Sequence, residues 1–325
     1  MSEEVLSLAV EGVSKSFALP RKHPFAPKLR VSAVADVNLN VRAGETVAIV
    51  GESGCGKSTL GRLVTGLSEP DTGHVKIGGV DRALTASSGK RDHLREVQLV
   101  FQDPLASLSP RRTVAQTLME PLRNFDLCGS DVGRRRRVSE LLEKVRIPAS
   151  AGSRFPHEFS GGQRQRIAIA RALATSPSLI VCDEAVAALD VSVKAQIINL
   201  LMDLQEAESI SLLFISHDLP IVQHLADSVS VMYLGRIVES GSRDDVFLDP
   251  KHPYTQALLA ASPMLQVGRR ARATLTGEIP SPTDVPRGCA FSGRCPAAVS
   301  RCFVERPQLS RLGETHREVA CHLVG

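Results

Sequence analysis

The chain has 325 residues, 43% of them hydrophobic, enough to bury a sizeable core as one large domain with an appendage or as two domains. Its formal charge of +4 is spread over 39 basic and 35 acidic residues, and it has no Trp and two Tyr. It therefore lacks both the broad positive field and the stacking surfaces of a nucleic-acid binder. Met1 to Val10 carries Glu3 and Glu4 where a signal peptide would be basic, and no apolar run approaches the roughly 18 residues of a membrane span, so a cytoplasmic location is expected.

Along the chain, two strand-like stretches between Val5 and Val41 flank Leu19 to Lys28, whose prolines and basic residues predict a surface loop. Thr46 to Val50 is a short β-branched run, followed by glycines and by the helical spacing Leu60, Leu63, Leu67. Apolar runs at Val97 to Phe101, Leu179 to Cys182, Leu212 to Ile215 and Val229 to Leu234 suit strands covered on both faces, and the amphipathic stretch Val191 to Leu204 lies between two of them. This alternation predicts an α/β fold with a mostly parallel sheet. Between Ser107 and Phe159 the pattern becomes helical, at Val114 to Leu122 and Val138 to Val145, with the basic run Arg134 to Arg137 on a solvated face. Residues 107–159 are thus expected to form an α-helical subdomain inserted in a core spanning 1–262. From 263 to 325 a small extension follows, with Pro280, Pro282 and Pro286 ahead of four of the seven cysteines.

Gly51-Glu52-Ser53-Gly54-Cys55-Gly56-Lys57-Ser58-Thr59 fits the phosphate-binding pattern G-x-x-x-x-G-K-S/T between a strand and a helix. Its glycines let backbone N–H groups point at phosphates, and the helix that follows adds its positive end. Lys57 is expected to meet the β- and γ-phosphates of ATP, and the Ser58 hydroxyl to bind Mg²⁺. Cys55 reads as a small space-filler. The apolar strand Leu179-Ile180-Val181-Cys182 ends in Asp183 and Glu184, a candidate Mg²⁺ carboxylate and a candidate general base for the attacking water. Ser160 and Gln163 in Phe159-Ser160-Gly161-Gly162-Gln163-Arg164-Gln165-Arg166 make a capping box at a glycine-rich helix start, where backbone N–H groups can meet an anion.

That last segment, about twenty residues ahead of the Asp-Glu strand, resembles the signature motif of ABC ATPases. The resemblance implies an ABC-type P-loop ATPase that works as a head-to-tail dimer, with Ser160, Gly161, Gly162 and Gln163 touching ATP held by the partner. It also implies roles for weaker matches: Gln102 as the Q-loop residue at Mg²⁺ and the attacking water, His217 as the switch histidine, Asp190 in the D-loop Ala188-Leu189-Asp190, and Phe17 as the adenine-stacking aromatic. Phe17 stands where tyrosine is usual, Phe159 where leucine is commoner, and Ala187 where serine is usual, which puts one cross-dimer hydrogen bond in doubt. No catalytic group is missing.

Nearly the whole chain is similar to the ATP-binding subunits of dipeptide and oligopeptide (peptide/nickel) importers, closest to their second, F-type ATPase. Gly51 to Arg62, Phe101 to Pro110, Asp190 to Leu201, Val231 to Gly235 and His252-Pro253-Tyr254-Thr255-Gln256-Ala257-Leu258-Leu259 carry this likeness. It implies a second ATPase subunit, commonly a different chain, two transmembrane permeases, an extracytoplasmic solute-binding protein, and a peripheral place on the cytoplasmic face of the inner membrane. Nickel and other small-solute importers share the subunit type. A soluble ABC ATPase acting on nucleic acid fits less well, because such proteins typically carry two cassettes or a long coiled coil.

Cys289, Cys295, Cys302 and Cys321 are spaced C-x₅-C, C-x₆-C and C-x₁₈-C. Four thiolates suit an iron–sulfur cluster or a Cys₄ zinc site, and the lack of a close pair favours iron–sulfur, most readily [4Fe–4S]. Disulfides are disfavoured in a reducing cytoplasm, and four unliganded thiols are the remaining alternative. The resemblance adds that peptide-importer ATPases share these positions, and it favours a structural role.

Overall fold

The computed structural model describes residues 5–19, 29–82, 87–262, 280, 283, 285–313 and 315–324. The surface loop expected before Lys28 falls, beyond Leu19, outside the described residues, as does Pro282. In chain order the first elements are β1 (Leu6–Ala18), β2 (Arg30–Arg42), β3 (Thr46–Val50), α1 (Lys57–Val64), β4 (Thr72–Ile77), β5 (Val80–Asp81), α2 (Ser87–Glu96) and β6 (Val97–Val100). Helices α3 (Val114–Asn124), α4 (Asp131–Lys144) and α5 (Gly161–Leu173) precede β7 (Leu179–Asp183), α6 (Val191–Glu208) and β8 (Ser211–Ile215). Then come α7 (Leu219–Leu225), β9 (Ser228–Tyr233), β10 (Arg236–Ser242), α8 (Arg243–Leu248), α9 (Pro253–Ala260), α10 (Ser300–Val304), β11 (Ser310–Arg311) and β12 (Glu318–Val319). The chain divides into two compact units.

The first unit takes the described residues of 1–8, 40–45 and 76–215. Its centre is the parallel set β6, β7 and β8, with Val97 opposite Leu179, Cys182 opposite Phe214 and Asp183 opposite Ile215. Every residue of β8 and all of β7 but Asp183 is buried, which is why these strands lack polar alternation. Helix α3 starts at a complete capping box between Thr113 and Gln116. Helix α4 begins at Asp131, a full two turns before the expected Val138, because Ser130 caps it by accepting the Gly133 N–H. Those first turns are polar, so hydrophobic spacing did not reveal them. The arginine run lies within α4 in ion pairs: Arg134 with Asp126 at 2.7 Å and Arg136 with Glu140 at 3.1 Å. Such exposed pairs contribute about 0–1 kcal/mol each.

The second unit takes the described residues of 9–39, 46–75 and 216–325. Most of β1, β2 and β4 form one sheet, with β1 between the other two. In the other, β3 pairs parallel with β9, Val47 opposite Ser228 and Val50 opposite Val231. Beyond β9 the direction reverses: Leu234 and Gly235, both at positive φ, turn the chain into antiparallel β10, and β12 and β11 continue that edge. The sequence reading missed this antiparallel edge, since β11 and β12 hold two residues each and carry no periodic signal. Helix α1 stops at Val64, one turn short of the expected Leu67, because Gly66 adopts φ +80°. Leu67 is accordingly exposed. No helix among the described residues is long and apolar enough to cross a membrane.

A buried polar centre fastens the C-terminal edge of this unit. Glu239 on β10 is fully buried, accepts hydrogen bonds from the backbone N–H groups of Lys251 and His252, and pairs with Arg317 at 2.7 Å. His252 caps α9 by accepting the Tyr254 N–H at its Nδ1, an arrangement that needs that nitrogen unprotonated. Burial lowers the His252 pKa to about 4, although Glu239 and a hydrogen bond with the Ala320 backbone act in the opposite sense. A folded pKa below the unfolded one of 6.5 means stability is fully present above pH 6.5 and is lost as pH falls towards 4. Urea midpoints followed by circular dichroism should therefore show wild type and His252→Gln converging by about 3 kcal/mol between pH 7 and pH 4. Curves that stay parallel would show that His252 is not held neutral.

Candidate functional site

The phosphate-loop residues belong to the second unit. Gly51 has φ +152°, and a Cβ there would lie 2.2 Å from the Met232 carbonyl oxygen. Gly56 has φ +110°, and its Cβ would lie 2.0 Å from the Ala33 carbonyl oxygen. Backbone alone fits at both ends of the loop, so Gly51-to-Gly56 is held in a fixed curl against β9 and β2. The Cys55 carbonyl accepts the Gly235 N–H at 2.8 Å, and the Cys55 side chain is buried with its thiol pKa raised by burial, in keeping with a space-filling role.

Gly56 stands at the N-terminal end of α1 without a side-chain cap, so the positive end of the helix faces the loop interior. Lys57 is buried and donates to the carbonyl oxygens of Gly51 at 2.8 Å and Glu52 at 2.9 Å. Its ammonium thus already spans the loop mouth, where phosphate oxygens are better acceptors than carbonyls. Ser58 and Thr59 occupy the first turn of α1, and Ser53 and Gly54 are exposed on the loop. His217 follows β8 as an exposed residue, in a turn fixed by the Ser216 hydroxyl accepting the Asp218 N–H. Phe17, near the end of β1, is 44% exposed with Lys15 5.8 Å from its ring centre, leaving an open aromatic face.

The other candidate residues belong to the first unit. Asp183 ends β7 and is half-buried; Glu184 follows at φ +50°, its N–H held by the Ile215 carbonyl at 3.0 Å. A left-handed glutamate costs on the order of 1 kcal/mol and marks a place where side-chain aim outweighs backbone comfort. Gln102 is exposed just beyond β6, which ends at Val100 rather than Phe101. Ser160 caps α5 by accepting the Gln163 N–H, while Gln163 Oε1 accepts the Ser160 N–H, the box expected from sequence. Gly162 is required by packing, since a Cβ would lie 2.4 Å from Val193 Cγ1 on α6. Phe159 is buried beneath the Arg154 guanidinium, 4.4 Å from the ring centre. Asp190 is the exposed N-cap residue of α6. Sequence reasoning passed over Gln165, buried in α5, whose amide donates to the Phe101 carbonyl beside Gln102 at 3.4 Å. Its only signal was its place in the signature segment.

The four extension cysteines are free thiols with a shared electrostatic neighbourhood: burial raises the pKa of Cys289, Cys295 and Cys321, and neighbouring cysteines, Cys302 in every case, raise each further. Backbone N–H groups of Phe291, Ala297, Leu323 and Val324 act in the opposite direction by hydrogen bonding to the sulfurs. The expected cluster site is not assembled, however: among the described residues no three His, Cys, Asp or Glu side chains are grouped to hold a metal ion. The donor chemistry, free thiols with backbone N–H groups on the sulfurs of Cys289, Cys295 and Cys321, suits a thiolate centre.

A glycine cradle closed by a lysine, a strand ending in two carboxylates and a capped signature helix define an ATP-binding cassette of the ABC class. The family described as ABC transporter matches residues 34–187, and the one described as oligopeptide/dipeptide transporter, C-terminal region, matches residues 238–302. The chain is 53% identical over 294 residues to a probable peptide ABC transporter ATP-binding protein of Sinorhizobium fredii (strain NBRC 101917 / NGR234), covering 90% of this chain and 83% of the relative. It is 48% identical over 306 residues to the dipeptide transport ATP-binding protein DppF of Escherichia coli (strain K12), covering 94% and 90%. Among solved structures it resembles the dimeric ATP-binding cassette MJ0796 in a post-hydrolysis state bound to ADP and Pi, with TM-score 0.64, 28% identity and coverage of 73% of this chain and 98% of the other. It also resembles cbiO1 from Clostridium perfringens, part of the ABC transporter complex cbiONQ, with TM-score 0.65, 28% identity and coverage of 76% and 92%. The chain belongs to the ATP-binding proteins of the oligopeptide/dipeptide ABC transporter family and is an ABC-type ATPase.

Proposed function

We propose that this chain is the ATP-hydrolysing motor of a di- or oligopeptide importer. The single observation that carries the ATPase half of this reading is the Gly51-to-Lys57 cradle, shaped at both ends by Gly51 and Gly56, where a Cβ would collide, and closed by a buried lysine. The peptide half rests on the similarity to the DppF and Sinorhizobium fredii proteins. The proposed organisation is an ABC core over 1–262, an inserted helical subdomain over 107–159 and a C-terminal extension over 263–325. Nickel uptake is the second reading, because small-solute importers use the same subunit type.

In the proposed mechanism the loop from Gly51 to Thr59 wraps the phosphates of ATP, Lys57 neutralises them and Phe17 stacks on the adenine. Ser58, Gln102 and Asp183 would hold Mg²⁺, which when bound would offset phosphate charge. Ser160 to Gln163 close on the ATP of a second ATPase subunit, and Asp190 faces that same junction. Glu184 then takes a proton from the attacking water, with His217 at the γ-phosphate. Two transmembrane permeases would transmit closure, a solute-binding protein would deliver the peptide, and the chain would sit peripherally on the cytoplasmic face of the membrane. Nucleic acid has no part in this reading. Glu184→Gln should keep ATP binding while turnover of the assembled transporter, its other site disabled, falls by about 10³-fold; near-normal hydrolysis would remove Glu184 from the role.

For Cys289, Cys295, Cys302 and Cys321 we propose a structural [4Fe–4S] centre, supported by the shared neighbourhood and the N–H groups aimed at sulfur, against the absence of a preformed ligand group among the described residues. Anaerobic purification with iron, sulfide and visible absorption measurements should give a brown protein with about four irons per chain. Colourless protein carrying stoichiometric zinc, or no metal, would overturn it.

A further inference from the structure

Glu52 is the one acidic residue inside the loop Gly51 to Thr59, the segment proposed above to bind the phosphates of ATP. Each of its polar groups is taken. Its N–H donates to the Tyr254 hydroxyl at 2.9 Å, its carbonyl accepts from Lys57, and its carboxylate receives both arms of Arg294, at 2.8 Å and 3.0 Å. Arg294 lies 242 residues further along the chain, between Cys289 and Cys295 in the C-terminal extension.

The guanidinium is not a surface group that happens to reach the loop. Its side chain is 5% exposed, Nη1 also donates to the Tyr233 hydroxyl at 3.3 Å, and the rings of Tyr233 and Phe291 lie 5.9 Å from its centre. Tyr233, Tyr254 and Phe291 form a mutual aromatic cluster, with centroid separations of 4.6 to 5.4 Å. The cluster fixes where Arg294 points, and its Nε finds no partner among the described residues, so Glu52 is the anion to which this cation is committed. A two-pronged arginine–carboxylate pair fixes direction as well as charge.

We propose that Arg294 is a positioning residue of the nucleotide site: it neutralises Glu52 and holds the carboxylate turned away from the phosphates, so the C-terminal extension completes the ATP-binding loop. This rests on reading Gly51 to Thr59 as the ATP site. Without Arg294, the loop would present an uncompensated carboxylate to ATP, and the loop residue that Lys57 touches would lose one of its three anchors. The charge and the geometry make separable predictions, because Glu52→Gln removes the repulsion but leaves the hole made by deleting the arginine.

The test is ATP·Mg²⁺ binding to the purified full-length chain by calorimetry, for wild type, Arg294→Gln, Arg294→Lys, the double variant Glu52→Gln/Arg294→Gln, and Lys57→Ala, with melting curves for each. Arg294→Gln should raise the Kd for ATP about tenfold. Arg294→Lys, which keeps the charge but not the fork, should fall between it and wild type. The double variant should recover at least about threefold of the lost affinity, which simple loss of packing does not allow. Arg294→Gln binding within twofold of wild type, or a double variant as weak as the single one, would overturn the proposal. If Arg294→Gln does not fold, the lysine variant carries the test, and wild-type affinity there overturns the proposal equally. Unchanged binding by Lys57→Ala would instead sink the loop reading itself, whatever Arg294 does.

Discussion

Where the chain must bring backbone to within van der Waals contact of other backbone, side chains have no room, and the phosphate loop depends on that exclusion. Gly51 presses on the Met232 carbonyl and Gly56 on the Ala33 carbonyl, each at a φ that other residues rarely adopt. The curl between them is what allows a run of N–H groups to converge on one point and brings Lys57 back across the mouth. Because the contacts are with β9 and the start of β2, the curl of the loop is set by backbone of the sheets rather than by the loop alone.

The same logic of local discomfort in service of aim recurs in the other unit. Glu184 holds a left-handed backbone immediately after the buried strand that ends in Asp183, and the Ile215 carbonyl fixes its N–H. Gly162 lets α5 approach α6 closely enough that Val193 occupies the space of a side chain. The glycine serves packing and the glutamate's backbone works against stability, which comes from fully buried strands such as β3 and β8.

What was legible in the sequence was whatever depends on contiguous residues. A glycine loop between a buried strand and a helix, two carboxylates at a strand end and a Ser-to-Gln capping box each impose their residue types within a few positions, and the structure has all three. Element ends that depend on caps were less legible: α4 starts early because Ser130 caps a polar first turn, and α1 stops early at a left-handed Gly66. Least legible were long-range arrangements. The antiparallel edge uses strands too short to show a period, and Arg294 meeting Glu52 spans 242 positions with no local pattern at either end. The His252-to-Leu259 motif was visible as a family likeness, yet only the fold connects its Tyr254 to the loop. The cysteine spacing suggested a cluster, and the fold gives the thiols a common neighbourhood without bringing three of them into a ligand group among the described residues.

The central claim is that the backbone from Gly51 to Thr59 is the surface that grips ATP, and amide hydrogen exchange reads that backbone directly. Exchange measured by mass spectrometry on the full-length chain, with and without ATP·Mg²⁺, should show peptides covering 51–59 slowing by about tenfold or more, as N–H groups pass from solvent to phosphate. If ATP binds and the exchange of these amides is unchanged while protection appears elsewhere, the loop is not the nucleotide site and the account fails.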